Sequence, residues 1–203
     1  MKNKLVYIIT CIALAALVLS GCGKQEEVIL VQNLTTLDFA HDTPVGEITQ
    51  DSSADQTFIS NCDNITSIDL YGATYMRQNS GTVEVTIYTT SDSDIRAIEN
   101  EKLQKIAKWT LDAAQFEDNK IITLNVDEAE ANDSLVISYE INPKANKGLL
   151  GKQCMIKLSS PDCKPGSSVT FWTTQEDVYP DGCVRIGGYE WYNDLWFQVY
   201  GLK

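Results

Sequence analysis

A single histidine, His41, is all the imidazole that the 203 residues supply. A serine or cysteine nucleophile paired with an imidazole base would have to draw that base from a polar, acidic stretch near the amino end, an arrangement that disfavours such catalysis. The chain has no Gly-x-Ser-x-Gly elbow and no His-Glu-x-x-His pair. In Gly148-Leu149-Leu150-Gly151-Lys152 the glycines have the wrong spacing for a phosphate loop, and Gln153 stands where a Ser or Thr would hold magnesium. No Cys-x-x-Cys pair is available for zinc. Positive charge is scarce as well: 16 basic side chains face 28 acidic ones, a net charge of -12. A surface of that sign repels phosphate backbones, so nucleic acid is excluded as a partner. The apolar run at residues 5–19 is 15 residues long, short of the roughly 18 to 20 that a helix needs to cross a bilayer.

What is present begins at the amino end. Met1-Lys2-Asn3-Lys4 leads into that apolar run and then into small residues, the layout of a secretory signal. Leu19-Ser20-Gly21-Cys22 resembles the lipobox of bacterial lipoproteins. The resemblance implies that the Cys22 sulfur receives a diacylglyceryl group, that residues 1–21 are removed as a signal peptide, and that Cys22 becomes the mature amino terminus. Two acyl chains anchor a protein stably where one binds only marginally. The expected location is outside the cytoplasm, lipid-anchored to the cell membrane or outer membrane. The mature chain would keep 182 residues, with 14 basic and 28 acidic side chains. The lipid must then make the membrane contact that an acidic surface does not.

After Cys22 the stretch to residue 55 is polar and acidic, apart from the short apolar run Val28-Ile29-Leu30-Val31. It reads as a spacer, with residues 45–49 as a candidate first strand, leading to a domain over residues 56–203. Cys62, Cys154, Cys163 and Cys183 remain in the domain, an even number in an exported chain, which predicts two disulfides in one of three pairings. The clusters Asp92-Ser93-Asp94 and Asp127-Glu128-Ala129-Glu130-Ala131-Asn132-Asp133 carry the oxygen ligands calcium prefers. Neither has the twelve-residue helix-loop-helix spacing, so they read as solvated turns, with a structural calcium ion as the alternative and no other cofactor expected.

Within the domain, apolar residues alternate with polar ones. Ile68 and Leu70 share a face, as do Val83, Val85 and Ile87; Ile122, Leu124 and Val126; Leu135, Ile137, Tyr139 and Ile141; Cys154, Ile156 and Leu158; Val169, Phe171 and Thr173; and Leu195, Phe197 and Val199. Turn residues separate these runs, as at Asn79-Ser80-Gly81, Lys164-Pro165-Gly166 and Tyr179-Pro180-Asp181-Gly182. Seven or more short strands predict an all-β, antiparallel two-sheet sandwich. Residues 95–107 differ: Ile95, Ile98, Leu103 and Ile106 have the spacing of one short helix.

Several motifs, in order, resemble the jelly-roll modules of bacterial surface and glycan-assembly proteins, which are similar in fold to carbohydrate-binding modules. These are Gln56-Thr57-Phe58, Leu70-Tyr71-x-Ala73-Thr74-Tyr75-x-Arg77, Phe116-x-Asp118-Asn119, Ser168-Val169-Thr170-Phe171-Trp172 and Asp194-Leu195-Trp196-Phe197. The four cysteines and residues 142–151 depart from the pattern.

Alternation also assigns the outward faces. If Val169 and Phe171 point inward, Trp172 points outward among Thr170 and Thr174; likewise Trp196, Gln198 and Tyr200 on the last run, and Tyr88 beside Glu84 and Thr86. Aromatic plates stack on the C–H faces of sugars, and amides and carboxylates take the hydroxyls. Trp172, Trp196, Gln198, Tyr200, Trp191 and Tyr88 are therefore the candidate ligand residues, with Trp191 on a rim formed by Tyr189-Glu190-Trp191-Tyr192. The reading is a surface lipoprotein that binds a glycan without catalysis. Two alternatives are a structural or assembly lipoprotein that binds a protein partner through the same plates and, less favoured, a glycoside hydrolase using carboxylates such as Glu84 and Glu140.

Overall fold

In the computed structural model the described residues are 28–33, 43–91, 102–126 and 134–202. Alternating apolar residues produce twelve strands: β1 (Val28–Asn33), β2 (Ala54–Ile59), β3 (Asn64–Ala73), β4 (Thr82–Thr89), β5 (Gln104–Asp112), β6 (Lys120–Asn125), β7 (Val136–Ile141), β8 (Gln153–Ser159), β9 (Thr170–Phe171), β10 (Val184–Ile186), β11 (Tyr189–Glu190) and β12 (Phe197–Leu202). They form two antiparallel sheets. One has the order β1-β12-β3-β6, with β9 also on β3; the other has the order β11-β10-β2-β8-β4-β5-β7. The expected β-sandwich is the observed architecture.

The inner faces come from the period-2 pattern. Val85 lies opposite Trp109 and Leu158, and Ile87 opposite Ala107 and Ile156; all are essentially inaccessible to solvent. From the other sheet, Ile68, Leu70, Leu124, Phe197 and Val199 fill the same core. Phe58 and Phe197 meet with ring centroids 5.6 Å apart. Full burial of each such side chain stabilises the fold by about 1.5 to 3 kcal/mol before entropy is charged against it.

Three expectations need correction. The helix read over residues 95–107 gives way to strand from Gln104 onward, while residues 92–101, with Asp92 and Asp94, lie outside the described residues. β5 also carries a β-bulge: Ile87 pairs with Ala107 and Tyr88 with Lys105, leaving Ile106 as the extra residue. The insertion slips the alternation, so Ile106 and Trp109, both buried, stand three apart as they would on a helix. The stretch read as spacer also carries structure. β1 pairs along β12, and Val45 and Ile48 are buried in the core, held as extended chain by Val45 N to Phe171 O (2.9 Å) and Ile48 N to Val169 O (3.0 Å). Residues 1–27, including Cys22, and residues 34–42, with His41, lie outside the described residues.

The third correction concerns the cysteines. Cys62, Cys154, Cys163 and Cys183 are free thiols, so the disulfides inferred from their even number are not formed. Cys154 lies near the start of β8 and Cys163 beyond its end, so an extended strand holds these two apart. Burial pushes the Cys154 thiol up to about 12, which leaves almost no thiolate at neutral pH. Brief alkylation of the native protein followed by mass spectrometry is expected to label the partly exposed Cys183 first. Cys62, Cys154 and Cys163 should label only on unfolding, and labelling of Cys154 at the rate of Cys183 would contradict this burial.

Candidate functional site

The site is built where β3 ends and β6 begins. Antiparallel pairing of Gly72 with Lys120 brings the turn after β3, at Thr74–Arg77, beside the turn before β6, at Asp118-Asn119. β9 adds the third wall by pairing Ala73 with Thr170. Pro44, Ala73, Tyr75, Met76, Asp118, Asn119, Thr170 and Trp172 line a cleft of about 340 Å³, at the small end of the range for ligand sites.

Trp172 is the cleft's partly exposed aromatic plate. Its backbone is pinned on both sides, N to Tyr71 O at 2.9 Å and O from Trp196 N at 2.8 Å. The Tyr71 ring stacks behind it at 6.2 Å between centroids, inclined by 29°. The indole Nε1 donates to Asn119 Oδ1 at 3.0 Å, and the Asn119 amide in turn donates to Asp118 Oδ2 at 2.9 Å. The ring orientation is therefore fixed before a ligand arrives, which lowers the ordering cost of binding.

Asp118 holds the opposite wall. Its Oδ1 accepts from Thr74 N at 2.6 Å and Thr74 Oγ1 at 2.8 Å, and Met76 N points to the same oxygen at 3.4 Å. Tyr75 and Met76 both have left-handed backbone, φ 58° and 56°, a conformation that non-glycine residues adopt only when their surroundings demand it. The Arg77 guanidinium lies 4.9 Å from the Tyr75 ring centroid and is itself tied to Glu47 and to Ser168 O. The turn thus spends conformational strain to present Tyr75 and the almost fully exposed Met76 at the cleft mouth.

Burial acts to raise the Asp118 carboxyl, but the donors from Thr74 and Met76 outweigh it, so its pKa is held below the usual carboxylate value. A depressed acid stabilises the turn above its unfolded pKa, near about 3.9, and loses that contribution as pH falls through the lower folded value. Tryptophan emission and ligand affinity are therefore expected to hold down to about pH 4 and to decline below it. Asp118→Asn should remove this acid limb when the same titration is repeated.

The structure treats the six candidates differently. Trp196 shares the outward side with Trp172, its ring 5.8 Å from that of Tyr71, but only 1% of it is exposed. It buttresses the plate and is not a contact surface. Gln198 and Tyr200 are partly buried in a network farther down the sheet: Thr123 Oγ1 donates to Asp69 Oδ1 at 2.7 Å, and the Tyr200 hydroxyl lies 3.2 Å from Asp69 Oδ2 and 3.0 Å from Gln198 Oε1. Tyr88 is on β4 of the other sheet, opposite Lys105 and Met155, apart from the cleft. Trp191 is half exposed on the loop after β11. Glu84 and Glu140 are occupied by Lys108 and Lys105 respectively, and the Lys105 ammonium lowers the Glu140 pKa, opposite to what a general acid requires.

Sequence reasoning missed Tyr75, Met76, Asp118, Asn119 and Pro44 as site residues. Tyr75, Asp118 and Asn119 stood in visible motifs, but only the β3–β6 register brings them together, and Pro44 joins them through its bridge to Trp172. Among the described residues no group of three or more His, Cys, Asp or Glu is placed to hold a metal ion, and the acidic loop at residues 127–133 lies outside them. No protein-family model matches the chain, and no curated protein matches it.

Proposed function

We propose that this protein is an exported, lipid-anchored surface protein whose β-sandwich binds a glycan in the Trp172 cleft without catalysis. The observation that carries the reading is a single one: an aromatic plate, backed by Tyr71 and locked by Asn119, lines a concave site beside Tyr75 and the Asp118 carboxylate. A sugar ring presents an apolar C–H face to such a plate while its hydroxyls reach the carboxylate and amide edge. The lipobox at Leu19-Ser20-Gly21-Cys22 supports the location. Screening the full chain in detergent against a glycan panel, followed by titration calorimetry, tests the binding: a glycan of micromolar to millimolar affinity is expected, and no binding by any member would sink the reading. The anchor is tested separately by Cys22→Ser, which should shift the protein from the membrane fraction to the soluble one.

A further inference from the structure

We infer that the Trp172 cleft is one end of an extended site, continued by the aromatic loop at residues 189–192, that takes a neutral glycan chain of several units in preference to a single sugar. The inference rests on the glycan reading of the cleft and adds the length and charge of the ligand.

Three aromatic side chains project from this loop: Tyr189 is 78% exposed, Trp191 51% and Tyr192 96%. Rings left half to almost fully exposed gain little burial in the isolated protein, and their grouping marks a surface kept for contact. Their backbone is nevertheless well held. Gly187 and Gly188, both with positive φ, form the two-residue turn that pairs β10 with β11, and Trp191 N bonds Val184 O at 3.0 Å.

The loop is joined directly to the cleft strand. Asn193 Nδ2 donates to Thr173 Oγ1 at 2.6 Å, Thr174 N to Asp194 O at 2.7 Å, and Thr173 bridges to Leu195. Tyr192 is thus three residues from a direct backbone partner of the residue following Trp172. Even with the chain fully extended, the Cα atoms of Tyr192 and Trp172 are about 20 Å apart at most. That keeps the two aromatic groups within reach of one short oligosaccharide. Between the two aromatic groups, the buried Asn193 Oδ1 has no hydrogen-bond donor among the described residues, which leaves an acceptor to be satisfied.

Charge narrows the ligand. The cleft lining has no lysine or arginine, and residues 186–202 have none. Arg77 is engaged by Glu47 and Arg185 by Asp55. Asp118 stands in the cleft and the chain carries a net charge of -12, so an anionic ligand would meet charge of its own sign.

The test is a ladder of neutral oligosaccharides from the xylo-, cello-, manno- and malto-series, two to six units long, with oligogalacturonides as the charged comparison, titrated into the full chain. Within a series that binds, the hexasaccharide is expected to bind about tenfold or more tighter than the disaccharide. Tyr192→Ala should abolish that gain and leave disaccharide affinity unchanged, and its exposure makes misfolding of the variant a negligible concern. Oligogalacturonides should bind about tenfold or more weakly than neutral chains of equal length. Equal affinity for both lengths, an unaffected Tyr192→Ala hexasaccharide titration, or preference for the charged chain would overturn this inference while leaving the cleft a glycan site. Failure of every sugar at every length would overturn both.

Discussion

Replacing Trp172 with alanine is expected to weaken glycan binding roughly 30- to 1,000-fold, the loss of about 2 to 4 kcal/mol that accompanies truncation of a central aromatic contact. No other residue in the cleft combines partial exposure with support on so many sides. Tyr71 backs the ring, Asn119 fixes its edge, and the main chain is bonded to Tyr71 and Trp196. The fold should survive, because Trp172 lies outside the contiguous core and its own pairing bonds are made by the backbone. Circular dichroism of the variant should match the parent, with a stability loss of about 1 kcal/mol from the lost Tyr71 stacking. Trp172→Phe separates the plate from its tether: the ring face remains, the bond to Asn119 goes, and most of the affinity should be retained. Undiminished binding by Trp172→Ala would move the site elsewhere on the molecule.

Asp194→Ala is expected to destabilise the protein by about 3 kcal/mol or more. The side chain is buried, accepting from Gln56 Nε2 at 2.9 Å on one oxygen and from Val178 N and Tyr179 N at 3.0 and 2.9 Å on the other. Alanine would strand the two backbone donors and cut the link between the loop at residues 176–179 and the approach to β12. Urea denaturation gives the magnitude directly. Burial raises the Asp194 carboxyl, although Gln56 and the two amides act against it; Asp55 is raised by burial too, against the pull of Arg185. For a raised acid the contribution is complete below the unfolded pKa and is lost as pH climbs through the folded value. The Asp194 and Asp55 contributions should therefore decline as pH rises above about 4, and Asp194→Ala should remove the Asp194 share of that decline. A profile unchanged by the substitution would mean that Asp194 ionises as freely folded as unfolded.

The sandwich was legible because period-2 alternation is a local property: Val83-Val85-Ile87 and Phe197-Val199 declare their faces without reference to a partner. The same rule assigned Trp172 and Trp196 to outward faces. It did not distinguish exposed from covered, since direction follows from the strand and accessibility from what packs beside it. That is why Trp172 lines a cleft while Trp196 is enclosed. β5 misled because a single bulge residue, Ile106, breaks the period that identifies a strand. The cysteines misled for a different reason, since counting them says nothing about where their Cα atoms lie. Asp118 and Asn119 were visible only as part of a fold motif; their role depends on a register between β3 and β6 that no single segment encodes.

The pairing of β1 with β12 has a consequence for orientation. Val28 lies opposite Leu202, and Leu202 opposite Asn64, so the chain enters the sandwich at the Asn64 end of β3. The cleft lies at the other end, past Ala73, about 30 Å away along ten residues of strand. If Cys22 bears the anchor, the five residues before Val28 span about 18 Å at most. Such a short leash lets the domain pivot but not wander. An anchor on Cys22 would thus keep the Asn64 end of the sandwich close to the lipid and leave the Trp172 cleft at the far end.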